Sequence, residues 1–142
     1  MFHHLYLLLR KKTMIQETIQ KVKEILNRYA TIDYAFIFGS FLSKPLNDSD
    51  VDILLAAALS DAEKLDLTME LELLLKRKVD IVLVTEASCE LVLNAFSKGL
   101  PIFIKDRVRL RRDYFRNSCL YDDTTTLRQL RIARIKRKYS GA

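Results

Sequence analysis

The 142-residue sequence predicts an α/β (α+β) fold, a β-sheet with helices packed on it. Three observations carry that expectation. Short runs rich in aromatic and β-branched residues alternate with longer segments of helical apolar spacing. One of the short runs, residues 79–84, is apolar on both faces apart from Asp80, the pattern of a strand lying inside a sheet covered by helices. Three Gly and two Pro leave little room for long linkers, so one domain is the simplest reading.

Residues 1–14 look unlike the rest and are expected to be an N-terminal extension, with Met14 as an alternative start. Between Ile15 and Tyr29 the apolar residues Ile15, Ile19, Val22, Ile25, Leu26 and Tyr29 follow a 3.6-residue period, which predicts an amphipathic helix. Residues 34–38 read as a strand, broken by Gly39-Ser40. Pro45, Asn47 and Asp48 mark a loop before a second strand over 51–57. Ser60 and Glu63 form a capping box, and the helix they open runs to about Lys76 with Leu67, Leu71, Leu74 and Leu75 inward. The strand over 79–84 follows. Ser88 caps a helix through Lys98, closed by Gly99 and Pro101. Residues 102–104 are a short fourth strand. From Val108 the pattern is helical and basic, with a break expected near Asp122-Asp123.

The charge is divided along the chain. Residues 107–142 hold 11 Lys or Arg against three Asp, a net of +8, whereas the whole chain is +6. Residues 15–106 are therefore expected to form the globular domain, and residues 107–142 a basic helical C-terminal extension packing on that domain or on a partner. Leu127, Leu130, Ile132 and Ile135 in the extension, and residues 5–9 at the start, could serve either packing or a partner, and a homo-oligomer stays open. No segment approaches the roughly 20 consecutive apolar residues of a membrane span, so no membrane role and a cytoplasmic location are expected. Cys89 and Cys119 fit no metal-ligand spacing and read as reduced thiols. His3 and His4 are expected to be exposed.

The chemistry-bearing stretch is FGSFLSKPLNDSDVDILL, residues 38–55. Asp50 and Asp52 are two apart in an expected strand, so their side chains leave the same face while Val51 and Ile53 point to the core. Two carboxylates on one face repel unless a cation stands between them. The usual answer is a hard divalent ion with oxygen ligands, Mg²⁺ above all. A two-metal site, its ions about 4 Å apart, needs a third carboxylate. Asp80 is the natural one, being the only charge in VDIVLV, where an isolated charge is costly. It completes a triad if its strand neighbours that of Asp52. Gly39 allows a tight turn and close backbone approach. The N–H groups of a following helix, with the Ser40 hydroxyl, then suit a phosphate. Phosphate and metal ligands from adjacent strand ends are what phosphoryl transfer requires.

The order G-S, nine residues, D-x-D resembles the signature of the DNA polymerase beta-like nucleotidyltransferase superfamily. The small size resembles its minimal branch, the MNT-type proteins related to the antitoxin partners of HEPN-domain toxins. The resemblance covers about residues 15–105. It implies a small mixed sheet flanked by helices, the nucleotidyltransferase fold. It also implies that Gly39 and Ser40 bind the triphosphate, that Asp50, Asp52 and Asp80 act catalytically and ligate Mg²⁺, and that Asp80 helps to activate the attacking hydroxyl. Many relatives carry an Arg and a second Gly after the Gly-Ser. Here the run is Phe41-Leu42-Ser43-Lys44, so neutralising the phosphates falls to Lys44 or to the partner. The implied reaction is transfer of AMP from ATP to a hydroxyl of a HEPN-type protein partner, with toxin neutralisation as the outcome. Two other readings stand beside it. One is a nucleotide-binding module that neutralises its partner by covering it. The other is a nucleic-acid-binding protein acting through its basic C-terminus.

Overall fold

The structure, a computed structural model, describes residues 2–140. Its elements run α1 (Phe2–Leu26), β1 (Tyr34–Phe38), α2 (Ser40–Ser43), β2 (Val51–Ala56), α3 (Asp61–Leu75), β3 (Val79–Leu83), α4 (Cys89–Lys98), β4 (Leu100–Ile104) and α5 (Arg107–Ser140). The four strands form one sheet in the order β3-β2-β1-β4. β1 is antiparallel to both β2 and β4, whereas β2 and β3 are parallel, so the sheet is mixed.

Strand alternation gives the sheet two apolar faces. Ala35, Ile37, Ile53, Leu55, Ile81 and Ile102 pack with Val22, Leu26, Leu67 and Leu71, which places α1 and α3 on one face. Tyr34, Phe36, Leu54 and Ala56 pack with Val92 and Ala95 of α4 on the other. The capping box of α3 is complete: Glu63 N–H donates to Ser60 Oγ at 3.1 Å, and Ser60 N–H donates to Glu63 Oε1 at 3.2 Å. Ser88 Oγ accepts from Leu91 N–H at 3.2 Å and opens α4.

Several elements differ from expectation. The strand of Asp80 lies at the sheet edge, not inside it. Its double-sided apolarity reflects helices over both faces, with Ile81 and Leu83 against α3 and Val82 on the α4 side. The first helix begins at Phe2, not Ile15, and ends at Leu26; Tyr29 lies in the turn that follows, its N–H on Leu26 O. β4 starts at Leu100 and takes in Pro101, tolerated because β4 is the other edge. α5 runs unbroken through Asp122-Asp123. Leu127, Leu130, Ile132 and Ile135 are exposed, as are Phe2, Leu5, Leu8 and Leu9 on α1. Among the described residues no helix is long and apolar enough to cross a membrane.

A polar latch fixes the base of α5. The buried Tyr34 hydroxyl donates to Asp113 Oδ2 at 2.7 Å. Arg109 donates from Nη1 to Asp33 at 2.8 Å and from Nε to Asp113 at 3.4 Å. Burial, and then Asp113, push the Tyr34 hydroxyl well above its ordinary pKa, so it stays a donor. Tyr34→Phe removes one charge-assisted bond from a fully buried site. It is expected to cost about 1.5–3 kcal/mol in urea denaturation, with faster hydrogen exchange in the first turns of α5. Unchanged stability would show that the latch is idle.

Candidate functional site

β2 sends Val51, Ile53 and Leu55 into the core with α1 and α3. Alternation therefore puts Asp52 on the opposite face, beside Leu54 and Ala56, and Asp50 stands one residue before the strand. The parallel register of β2 and β3 sets Asp52 directly against Asp80. Two bonds secure the start of that pairing. Val51 N–H donates to Lys78 O at 2.9 Å, and Val79 N–H donates to Glu72 Oε1 at 3.1 Å. The carboxyl of Asp52 is pushed above its ordinary pKa, first by burial, then by Asp80, then by Asp50. Among the described residues no Lys, Arg or His forms an ion pair with any of the three. Three acids thus gather where β2 and β3 begin, without a protein cation.

The glycine turn lies against the same acids. Antiparallel pairing sets Phe38 opposite Asp52, so the chain leaves β1 beside that carboxylate. Gly39 has φ +87°, a conformation that L side chains rarely adopt. A Cβ there would stand 2.3 Å from Asp52 Oδ2. Both the backbone and the close approach therefore demand glycine. Gly39→Ala is expected to cost about 1–3 kcal/mol of backbone strain and to displace Asp52, so the melting temperature should fall. A variant that melts with the parent contradicts this geometry.

Ser40 opens α2, and no side chain caps that end. The first N–H groups of the turn are left for another acceptor. Ser40 O accepts from Lys44 N–H at 2.9 Å and from Ser43 Oγ at 3.0 Å. Lys44 closes the helix, and its ammonium pairs with none of the three carboxylates. The structure thus brings Gly39, Asp52 and Asp80 together, with Asp50 close enough to act on Asp52, while Lys44 sits at the far end of α2.

Sequence reasoning missed Arg77. It follows Lys76, the left-handed residue that ends α3. Its guanidinium donates from Nη2 to Pro45 O and from Nη1 to Asn47 O and to Ser49 O, the last at 3.2 Å. It also lies 5.1 Å from the ring centre of Phe41, the buried anchor of α2. One side chain therefore ties α2 to the loop that delivers Asp50. Beside α2, a groove of about 630 Å³ runs between Leu8, Ile15 and Ile19 of α1 and Leu42, Leu100 and Pro101.

The donor set, carboxylate oxygens alone, suits a hard divalent cation. Among the described residues no group of three or more Asp, Glu, His or Cys side chains is arranged to hold a metal ion as it stands. Asp50, Asp52 and Asp80 form an open set that a cation would have to draw in.

A family model described as polymerase beta, nucleotidyltransferase, matches residues 20–108. None of the curated proteins matches the chain. Among solved structures it is similar to one of the toxin–antitoxin MntA–HepT, at 21% identity and a TM-score of 0.67 over 84% of this chain and 97% of that one. It is similar to a toxin–antitoxin structure with AMP-PNP, at 22% identity and a TM-score of 0.69 over 82% and 97%. A third is a tri-AMPylated Shewanella oneidensis HEPN toxin in complex with MNT antitoxin, at 22% identity and a TM-score of 0.68 over 84% and 97%. At these identities the likeness is one of fold.

Proposed function

The chain belongs to the polymerase beta nucleotidyltransferase family, and from that premise we propose that it transfers AMP from ATP to a hydroxyl of a HEPN-type protein partner, as the antitoxin of a toxin–antitoxin pair. The observation that carries this reading is the opposed pair Asp52 and Asp80 with the Gly39 backbone against Asp52. In this reading Gly39 and Ser40 hold the triphosphate, and Asp50, Asp52 and Asp80 hold Mg²⁺, in one or two sites. When bound, Mg²⁺ supplies charge neutralisation and a lowered pKa for the attacking hydroxyl. In the same reading the acids fix where the phosphates and the hydroxyl meet, and Asp80 takes the hydroxyl proton; that its strand lies at the open edge of the sheet supports this role. Lys44, or the partner, neutralises the phosphates.

Two features support a protein acceptor. α1 carries exposed Phe2, Leu5, Leu8 and Leu9, an apolar surface of the kind that marks a protein contact. The groove beside α2 gives such a partner a seat next to the glycine turn. The structure with AMP-PNP and the complex with an AMPylated HEPN toxin, among the similar folds, support adenine nucleotide and a HEPN partner. Incubating the chain with a HEPN-domain partner, labelled ATP and Mg²⁺ should label the partner, and EDTA should abolish the label. An unlabelled partner overturns the reading.

The run after Ser40, which lacks an Arg, favours a second reading in which the chain neutralises its partner by covering it. Neutralisation that survives Asp50→Asn with Asp52→Asn would establish that alternative.

A further inference from the structure

We propose that a pocket at the opposite end of the sheet from the acids binds a phosphate-bearing ligand. Its walls are Val84, Thr85 and Ala87, which follow β3, and Arg112, Arg116 and Asn117 of α5. The pocket is open to solvent, with a volume of about 340 Å³, enough for a nucleotide-sized group. β3 carries the chain from Asp80 to Leu83, roughly 10 Å, before the turn that holds Thr85, so this is not the glycine-turn site.

The charges of the pocket do not balance. Arg109, at its rim, is committed to Asp33 and Asp113, and Asp113 is in turn satisfied by Arg109 and the Tyr34 hydroxyl. Those bonds set the rotation of α5 and hold the next turn over the β3–α4 connection. Arg112 and Arg116 then project from that turn, four residues apart on one side of the helix. Among the described residues neither pairs with an acid. Like charges at that spacing repel on a helix surface, and an anion between them converts the repulsion into two charge-assisted contacts. The Thr85 side chain, exposed at the same wall, adds a neutral donor. Two guanidinium forks and a hydroxyl around one concavity match the several oxygens of a phosphate better than the two of a carboxylate. The phosphate could belong to a free nucleotide or to a nucleic-acid chain.

The test uses the full chain carrying Asp50→Asn and Asp52→Asn, without Mg²⁺, so that the glycine-turn site is weakened. Amide shifts and calorimetry are followed with pyrophosphate, AMP, a six-nucleotide RNA and a glutamate-rich peptide. Pyrophosphate should shift the amides of residues 84–87 and 109–117. Adding Arg112→Gln with Arg116→Gln should weaken binding about tenfold or more while the melting temperature holds, both side chains being exposed. Tighter binding of AMP than of RNA assigns the phosphate to a free nucleotide, and the reverse assigns it to nucleic acid. The proposal is overturned if the parent binds no phosphate at millimolar concentration, if the double substitution leaves affinity unchanged, or if the peptide alone binds.

Discussion

Asp52→Asn is expected to cut nucleotidyl transfer by about a thousandfold, while making the metal-free protein more stable. The rate effect follows from its place. Asp52 is the acid flanked by both others, opposite Asp80 in register and two residues from Asp50. A bound cation stabilises transition-state charge by several kcal/mol, and about 4 kcal/mol corresponds to three orders of magnitude. The stability effect follows from the same crowding. Burial, Asp80 and Asp50 raise the folded-state pKa of Asp52, so the folded protein holds this proton more tightly than the unfolded chain does. The ionised carboxylate therefore costs stability. That cost is full above the raised pKa, shrinks as pH falls through it, and vanishes below the ordinary value of 3.8. In EDTA at neutral pH the variant should melt above the parent, and the difference should close on acidification. Mg²⁺ should reverse the order, because it stabilises only the protein that binds it. Full activity in the variant would remove Asp52 from the chemistry. Equal melting in EDTA would mean that the three acids do not crowd one another.

The parts of this fold that sequence could disclose are those whose partners are close in the chain. Ser60 and Glu63 are three residues apart, and both capping bonds form. The apolar period from Ile15 to Leu26 marks the buried side of α1. Its first turns are exposed: Leu5, Leu8 and Leu9, at i, i+3 and i+4, share one side of the helix, but no part of this chain's core covers that side. Nothing breaks α5 at Asp122-Asp123, since Asp in an exposed helix interior costs at most about 0.7 kcal/mol per residue. The acids themselves could be picked out by type and spacing. Their juxtaposition depends on β3 pairing parallel with β2, a non-local fact that alternation alone does not decide. Arg77 was hidden for another reason. Its acceptors are the backbone carbonyls of Pro45, Asn47 and Ser49, and every residue has a carbonyl.

That hidden contact leads to the second large effect, for Arg77→Met. The substitution keeps an apolar stem over Phe41 but leaves three loop carbonyls without their donor. Hydrogen bonds involving a charged group contribute about 1.5–3 kcal/mol each when buried. Arg77 is only half-buried, and water can replace part of what is lost, so the expected cost is about 2–4 kcal/mol including the cation–π contact. The consequence for catalysis is greater than the loss of fold stability suggests. The loop from Pro45 to Ser49 has no other cross-chain tie among the bonds described, and Asp50 is its next residue. A displacement of about 1 Å at a positioned group can cost a hundredfold in rate. The fall should appear in kcat, together with a higher Mg²⁺ requirement, because one acid of the set is misplaced while the Gly39 turn remains. Arg77→Lys separates charge from geometry. An ammonium restores the cation over Phe41 but lacks the planar fork that reaches several carbonyls at once, so it should recover part of the stability and little of the rate. Recovery of both by Lys would mean that charge alone suffices there. A folded Arg77→Met protein that transfers at the parent rate would mean that Asp50 does not depend on the loop for its position.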